Sequence, residues 1–459
     1  MITSQLFAQK QYEISNLSFN TTSGELAPSF YKGGLVFCSD RRHDIVMSYT
    51  DLYDNPLTNL YFSELKKSGK FESPRLFSKE LTTYLFEGPA AFSKDGKTIF
   101  FTRSIDVSRS MRNQQRADTT FGIFTSELNN GRWINISGFR YNSEAYNTGY
   151  PSLSEDGKRL YFCMDAPGGY GGFDIYVSEL RNGQWNQPEN LGNLVNSDKN
   201  DVFPFYHKSG RLYFASRGHG QGDDLDIYYT VEMNGIWQKP VSLAEPINSG
   251  KDDYGLIMNG SIDSCYFVSD REGSADIYAA YSVYPTFVNC PVQEDNDYCF
   301  VFYEPNNNEV DTIAYAYEWD LGDGTLIRSL EAEHCFSGPG SYTVQLNLVD
   351  KLTNEVLLAQ ASYDFLVEPV EQAFITAPDT VNTGTSLNFS GRETFLKNFN
   401  ISNYYWDFDD GFQESGIEAM HSFVFPGNYM LKLGVLQKST ERNVPDELRC
   451  VTRRIVVIP

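Results

Sequence analysis

Along the first 285 residues, apolar and polar positions alternate in short runs, and four such runs make a unit that recurs. The opening run reads APSFY, GPAAF, YPSLS, FPFYH or YGLIM, anchored on Pro28, Pro89, Pro151, Pro204 and, with glycine replacing proline, Gly255. A tight turn follows at Gly33-Gly34, Asp95-Gly96, Asp156-Gly157, Ser209-Gly210 and Asn259-Gly260, glycine supplying the positive φ that two-residue hairpins need. The second run reads LVFCS, TIFFT, RLYFC, RLYFA or CYFVS, and the third NLYFSEL, GIFTSEL, DIYVSEL, DIYYTVE or DIYAAYS. Gly-x-aromatic opens the fourth, as at Gly69 to Phe71, Gly131 to Trp133, Gly183 to Trp185 and Gly235 to Trp237. Period-two runs are strands, so the pattern predicts four antiparallel strands per unit, as in propeller blades. Each blade buries two faces against its neighbours and is not stable alone.

The fifth unit lacks its fourth run, because the chain leaves at Tyr284-Pro285. The N-terminal YEISNLSFNTTSGELAPSF matches the inter-unit passages WNQPENLGNLVNSDKNDVFPF and WQKPVSLAEPINSGKDDYGLI, with Asn20, Asn196 and Asn248 in step. Residues near Tyr12 to Leu17 are therefore expected to complete the last blade and close a five-bladed ring, hiding its sheet edges. DGKRLYF followed by GGFDIYVSEL resembles the TolB-type propeller repeats of bacterial envelope proteins, whose rings usually have six or seven blades.

Beyond Tyr284 the period changes. YEWDLGDGT, Tyr317 to Thr325, nearly recurs as YYWDFDDGF, Tyr404 to Phe412, and Trp319/Trp406, His334/His421 and Tyr342/Tyr429 share one offset. A constant offset predicts two domains of one type. The landmarks resemble the PKD domain, an immunoglobulin-like β-sandwich with the pattern W-D-F-G-D-G, then H-x-Y, then P-G-x-Y-x-V-x-L. Asp409 stands where the first copy has Gly322, and Phe336 and Phe423 replace the usual Tyr. Asp tolerates a left-handed backbone, so the turn is expected to survive. Trp319 and Trp406 read as core anchors, and the Asp side chains as acceptors for turn amides. Calcium is the competing reading, but Asp407, Asp409, Asp410 and Gly411 break the spacing of an EF-hand loop. The expected fold class is all-β: a five-bladed β-propeller over residues 1–284, closed by its N-terminal strand, then PKD sandwiches over 285–369 and 370–459.

Charge narrows the partners. With 37 basic against 60 acidic residues the net charge is −23, which repels nucleic acid. Such acidity fits solubility first, and a basic protein partner or calcium second. No run of about 20 apolar residues exists to span a bilayer as a helix. LFAQ before Lys10 fits the tail of an export signal. Of seven cysteines, Cys38 and Cys163 read as small buried hydrophobes, while Cys290, Cys299 and Cys335 cluster in one later domain and leave a disulfide open.

Candidate chemistry is sparse. His43, His207, His219, His334 and His421 form no H-x-H or H-E-x-x-H pair, and neither C-x-x-C nor G-x-S-x-G occurs. APGGYGGFD and RGHGQGDDLD join strands instead of opening a helix, which argues against a phosphate site. Neither a cofactor nor a metal is expected. Five acids, Glu25, Glu87, Asp201, Asp252 and Asp253, precede or open the first strands, which line the channel of a propeller. They either ring one mouth, where a retaining glycosidase would need a carboxyl pair about 5 Å apart, or repeat a backbone-capping job in every blade. Repetition favours capping. Asp174, Asp226 and Asp276, with Asn59 as stand-in, are expected to bond within their own blades. Triplets begun by Asp118, Asp311 and Asp379 resemble the O-glycosylation sites of Bacteroidota envelope proteins.

TolB-type repeats joined to PKD modules resemble a class of Bacteroidota envelope proteins that work with type 9 secretion, gliding-motility or outer-membrane assembly machinery. The resemblance implies a non-enzymatic scaffold, exported to the periplasm or cell surface, with outer-membrane proteins as partners. The alternative is a protein that binds or cleaves glycan, peptidoglycan included, through the propeller channel.

Overall fold

The computed structural model describes residues 12–41, 57–83, 86–105, 120–258, 264–305, 314–439 and 444–459. His43, the LFAQ segment, the Asn259-Gly260 turn and the acids of the Asp118 and Asp311 triplets lie outside the described residues. Every element among them is a strand, and the chain divides into two units, one ending at Val283 and one beginning at Tyr284.

The first unit is five antiparallel sheets whose strands pair in chain order. In the first and fourth blades the second strand is buried along its whole length. Arg211–Ser216 is buried throughout and pairs with Asp201–Tyr206 on one side and Asp226–Met233 on the other. The last blade is completed from the N-terminus, as the sequence predicts. Tyr12–Asn16 runs antiparallel to Asp276–Ser282, from Tyr12 opposite Ser282 to Asn16 opposite Tyr278. Beyond it Leu17 and Phe19 are buried, and Phe19 stacks on Phe37 of the first blade at 4.8 Å. The same segment thus finishes blade five and seals it against blade one.

Between blades, an asparagine does the work of a strand. Asn142, Asn196 and Asn248 each accept from the N–H and donate to the C=O of one isoleucine: Ile123, Ile175 and Ile227 respectively. An amide side chain presents the same donor and acceptor as a peptide unit, so it satisfies an otherwise orphaned backbone pair. Asn20 makes half of this clamp, donating to the Ile277 carbonyl at 2.7 Å.

A second repeated device bends the innermost strands. Ala27, Gly88, Tyr150, Phe203 and Gly255 all have positive φ, between 47° and 98°, and each lies at a register shift in the pairing of the first two strands. These are β-bulges, which sharpen strand bending. They also correct the repeat alignment: Gly255 corresponds to the residue before the prolines, so Leu256 is what replaces proline in blade five. Bulky Tyr150 and Phe203 in this conformation cost on the order of 1–3 kcal/mol each. Their rings offset it by packing, Tyr150 on Phe203 at 4.7 Å and Phe203 on Tyr254 at 4.7 Å.

The second unit holds two sandwiches. In the first, Cys299–Tyr303 pairs with Glu331–Cys335, facing a four-stranded sheet that ends on the long strand Val356–Val367. In the second, Leu387–Ser390 pairs with Glu418–His421, facing a five-stranded sheet. There Thr380–Asn382 adds in parallel to the edge of Glu447–Ile458. Trp319 and Trp406 are buried at the two cores, as expected.

Backbone-like pairing also joins the sandwiches. The Gln293 side chain donates to the Ile375 carbonyl and accepts from its N–H, while Gln372 does the same for Glu294. Thr452 donates to the Pro291 carbonyl and accepts from Gln293 N–H, both at 2.8 Å. A disulfide, Cys290–Cys450, ties this junction, and Cys299–Cys335 links the two paired strands of the first sandwich's smaller sheet. Cys290 therefore pairs outside the three-cysteine cluster that the sequence suggested.

Two outcomes follow. Deleting Tyr12–Leu17 should replace one cooperative melt of the propeller with a broad transition at lower temperature, read by circular dichroism; an unchanged melt would contradict closure by this strand. The double variant C290S/C450S should destabilise the tandem by about 2–4 kcal/mol in urea titration, whereas no loss would show that the junction is held by hydrogen bonds alone.

Candidate functional site

The five candidate acids do not converge. Among the described residues, no three His, Cys, Asp or Glu side chains come together as a metal cluster would require. Glu25, Asp201 and Asp253 are fully buried and sit in one register, opposite Ser39, Ser216 and Ser269. Each accepts from the N–H and hydroxyl of the Ser or Thr four residues earlier: Thr21, Ser197 and Ser249. That spacing closes a turn at the entrance to the strand, as side-chain caps do.

In blades one and five an arginine completes the arrangement. Arg41 lies 2.7 Å from Glu25, and Arg271 lies 2.7 Å from Asp253. Both arginines also contact the serine hydroxyl two residues before them and carbonyls of the preceding passage. Blade four differs. Arg217 stands one position earlier and turns to Asp252 at 2.6 Å, and Asp252 also accepts from Leu225 N–H. Asp201 is left with His219 at 3.9 Å and one oxygen without a hydrogen-bond partner. Burial raises its pKa, against hydrogen bonds from Ser216 and Ser197.

Glu87 is not the equivalent of these acids. It pairs with Arg103 one step deeper, in the register held elsewhere by Leu26, Gly149, Val202 and Tyr254. Thr83 still donates to one oxygen, but Oε2 has no partner and burial pushes the carboxyl up to about 8. Blade three has Thr148 in the acid register and Glu144 four residues before it, the reverse order. Of the five acids, Glu25, Asp201 and Asp253 thus share one register, Glu87 sits one step deeper and Asp252 holds Arg217, while blade three has a threonine in the acid position.

Among the described residues, nothing charged lines the channel cavity. A cavity of about 190 Å³ there is lined by the proline anchors, Leu256 and apolar or aromatic neighbours such as Ala90, Phe92 and Phe203, with no carboxylate in its wall. Asp174 accepts from Tyr170 N–H, Gly171 N–H and the Asn190 amide, all within its blade. Asp276 accepts from Ser274 and from Asn16 of the closing strand. Trp133 and Trp237 are buried against neighbouring blades.

Both Trp-Asp turns are built alike. Asp320 and Asp323 accept from Gly322 and Thr325 N–H, and Asp407 and Asp410 accept from Asp409 and Phe412 N–H. Asp409 has φ 61°, the left-handed conformation expected of it. The histidines add what the sequence reading missed: His334 meets Asp323 at 2.7 Å and His421 meets Asp410 at 2.8 Å. The shared offset was the available signal. Asp323 and Asp410 spend their oxygens on the turn and its histidine.

Residues 296–354 and 367–450 match the PKD domain family, so both sandwiches are PKD domains behind a five-bladed propeller. Among curated proteins, collagenase ColA of Clostridium perfringens is 24% identical over 286 residues, 60% of this chain. The chain spans about a quarter of that relative, 24% of its length. Among solved structures, an endo-arabinase from Bacteroides thetaiotaomicron matches at TM-score 0.37 and 13% identity, covering 59% of this chain and 98% of its own. An α-L-arabinofuranosidase from Lactobacillus brevis matches at TM-score 0.38 and 13% identity, covering 57% and 92%.

Glu87 gives the sharpest test. Its folded-state pKa lies above the ordinary 4.5, so the stability of its protonated form is complete below about 4.5 and lost as pH rises through about 8. Urea midpoints measured between those pH values should fall in the wild type and flatten in E87Q. E25Q, which breaks the contact with Arg41, should instead destabilise at neutral pH; equal behaviour of the two variants would contradict the register difference.

Proposed function

We propose that this chain is a non-enzymatic protein-interaction scaffold, an exported subunit of an outer-membrane-associated complex of the type 9 secretion, gliding-motility or outer-membrane assembly kind. The observation that carries the reading is the fate of the acids. Glu25, Asp201 and Asp253 each close a turn of their own blade, and among the described residues the channel cavity is lined by no carboxylate. What varies from blade to blade is the loops, which a propeller presents at its faces. Two disulfides support export, because such bonds persist in oxidising compartments. Membership of an envelope complex rests on the TolB-type and PKD resemblance.

One observation favours a second reading, glycan binding. A groove of about 330 Å³ between blades three and four is lined by Arg159, Asn186, Gln187, Asn193, Glu232 and Trp237. Amide and charged side chains beside an aromatic suit sugar hydroxyls. However, Arg159 is already held by Glu232 at 2.6 Å, and Trp237 is buried.

Affinity purification of the tagged protein from its native envelope separates the two. Outer-membrane proteins that stay bound through a salt wash are the expected result. A protein that elutes alone and binds or cleaves polysaccharide would overturn the scaffold.

A further inference from the structure

The two PKD domains treat the same sheet edge differently. In the second, the last strand, Glu447–Ile458, is covered on its outer side. Thr380–Asn382 runs parallel to its end, and Val292 bridges Thr452 in parallel further back. The outward N–H groups of Thr452 and Val456 are satisfied by the Pro291 and Asp379 carbonyls. Both covering segments are extended and parallel.

In the first domain the corresponding strand is Val356–Val367. Pairing of Gly340 with Val367 and of Gly427 with Val457 places Ser362 and Leu366 where Thr452 and Val456 stand. Their N–H groups point to the outer edge, and among the described residues nothing accepts from them. The segment that would cover this edge by analogy, around Gln293, is instead committed to the second domain through Thr452 and Ile375. The first domain has lent its edge cover to its neighbour.

This strand, which nothing covers among the described residues, is long and weakly guarded. It has 12 residues, VLLAQASYDFLV, with Asp364 as its one charge and neither proline nor lysine. Leu366 is 63% exposed and Val356 53%. Natural edges this long are normally blunted by lysine, proline or a covering segment.

We propose that Val356–Val367 is a docking edge that receives an extended strand from a partner polypeptide, added in parallel as Thr380–Asn382 is added to the second domain. The partner segment alternates apolar residues, which pack beside Phe365 on the core-facing side, with lysine or arginine on the outer face. The basic residues face Asp364 on a protein of net charge −23. Main-chain hydrogen bonds supply the affinity and the alternate side chains the selectivity. The proposal rests on the scaffold reading above and names the chemistry of one of its partners.

Panning a random twelve-residue display library against the intact protein tests it. Enriched peptides should alternate apolar and basic residues and slow amide hydrogen exchange in 356–367 but not in 447–458. They should bind at least tenfold more weakly to S362P, in which proline removes an outward donor while leaving the inner ladder intact. Should S362P fail to fold, L366K on the same exposed face provides the block. No enrichment, binding unaffected by these variants, protection elsewhere, or concentration-dependent protection of the strand without peptide would each overturn the proposal. The last outcome would assign the edge to a second copy. Failure here leaves co-purification of envelope proteins through other surfaces as an independent result.

Discussion

Backbone hydrogen-bonding capacity at strand edges is the constraint on which this molecule is organised. Each blade and sandwich is too small to bury its edges by itself, and an unpaired N–H or C=O taken from water costs about as much as a lost hydrogen bond. The chain meets that demand in three ways. Tyr12–Asn16 returns from the N-terminus to pair with Asp276–Ser282. Asparagine amides substitute for a strand at Ile123, Ile175 and Ile227. Glutamine amides do the same at Glu294 and Ile375. Seen this way, polar residues at repeated positions are connectors, and their recurrence reflects how often the same edge arises.

That logic also explains the apparent active-site residues. A carboxylate four residues after Ser or Thr gathers the amide and hydroxyl of a turn, and in two blades an arginine also donates to it. The Trp-Asp turns carry out a similar task with histidine as the last partner. Glu25, Asp253, Asp323 and Asp410 have both oxygens occupied before any ligand arrives, whereas Asp201 keeps one without a hydrogen-bond partner. Glu87 departs from this because a single-residue difference in register places it where its neighbours have apolar side chains.

Much of the architecture was readable because it rests on local patterns. Hairpin glycines, alternating runs and a constant offset between Trp319 and Trp406 are all one-dimensional signals, and the closing strand followed from an alignment of passages. What could not be read depends on register or on partners distant in the chain. Tyr150 and Phe203 precede proline, a position that ordinarily favours an extended backbone, yet both are left-handed because five bulges bend the inner strands. Cys450 lies 160 residues from Cys290, with nothing local to link them. The acids looked equivalent because spacing to the anchor position, Pro28, Pro89, Pro204 or Leu256, differs by only one residue between Glu87 and the acids Glu25, Asp201 and Asp253, and one residue inverts the face of a strand.

The Cys290–Cys450 bond has a mechanical consequence. Both PKD domains lie almost wholly within the loop it closes, so tension between the propeller and the final strand would pass through sulfur and bypass them. Under oxidising conditions neither sandwich can lengthen the tether by unfolding, and the spacing between whatever grips the two ends stays short. Reduction would release some 160 residues of hidden slack, making this one covalent link the difference between a stiff strut and an extensible leash.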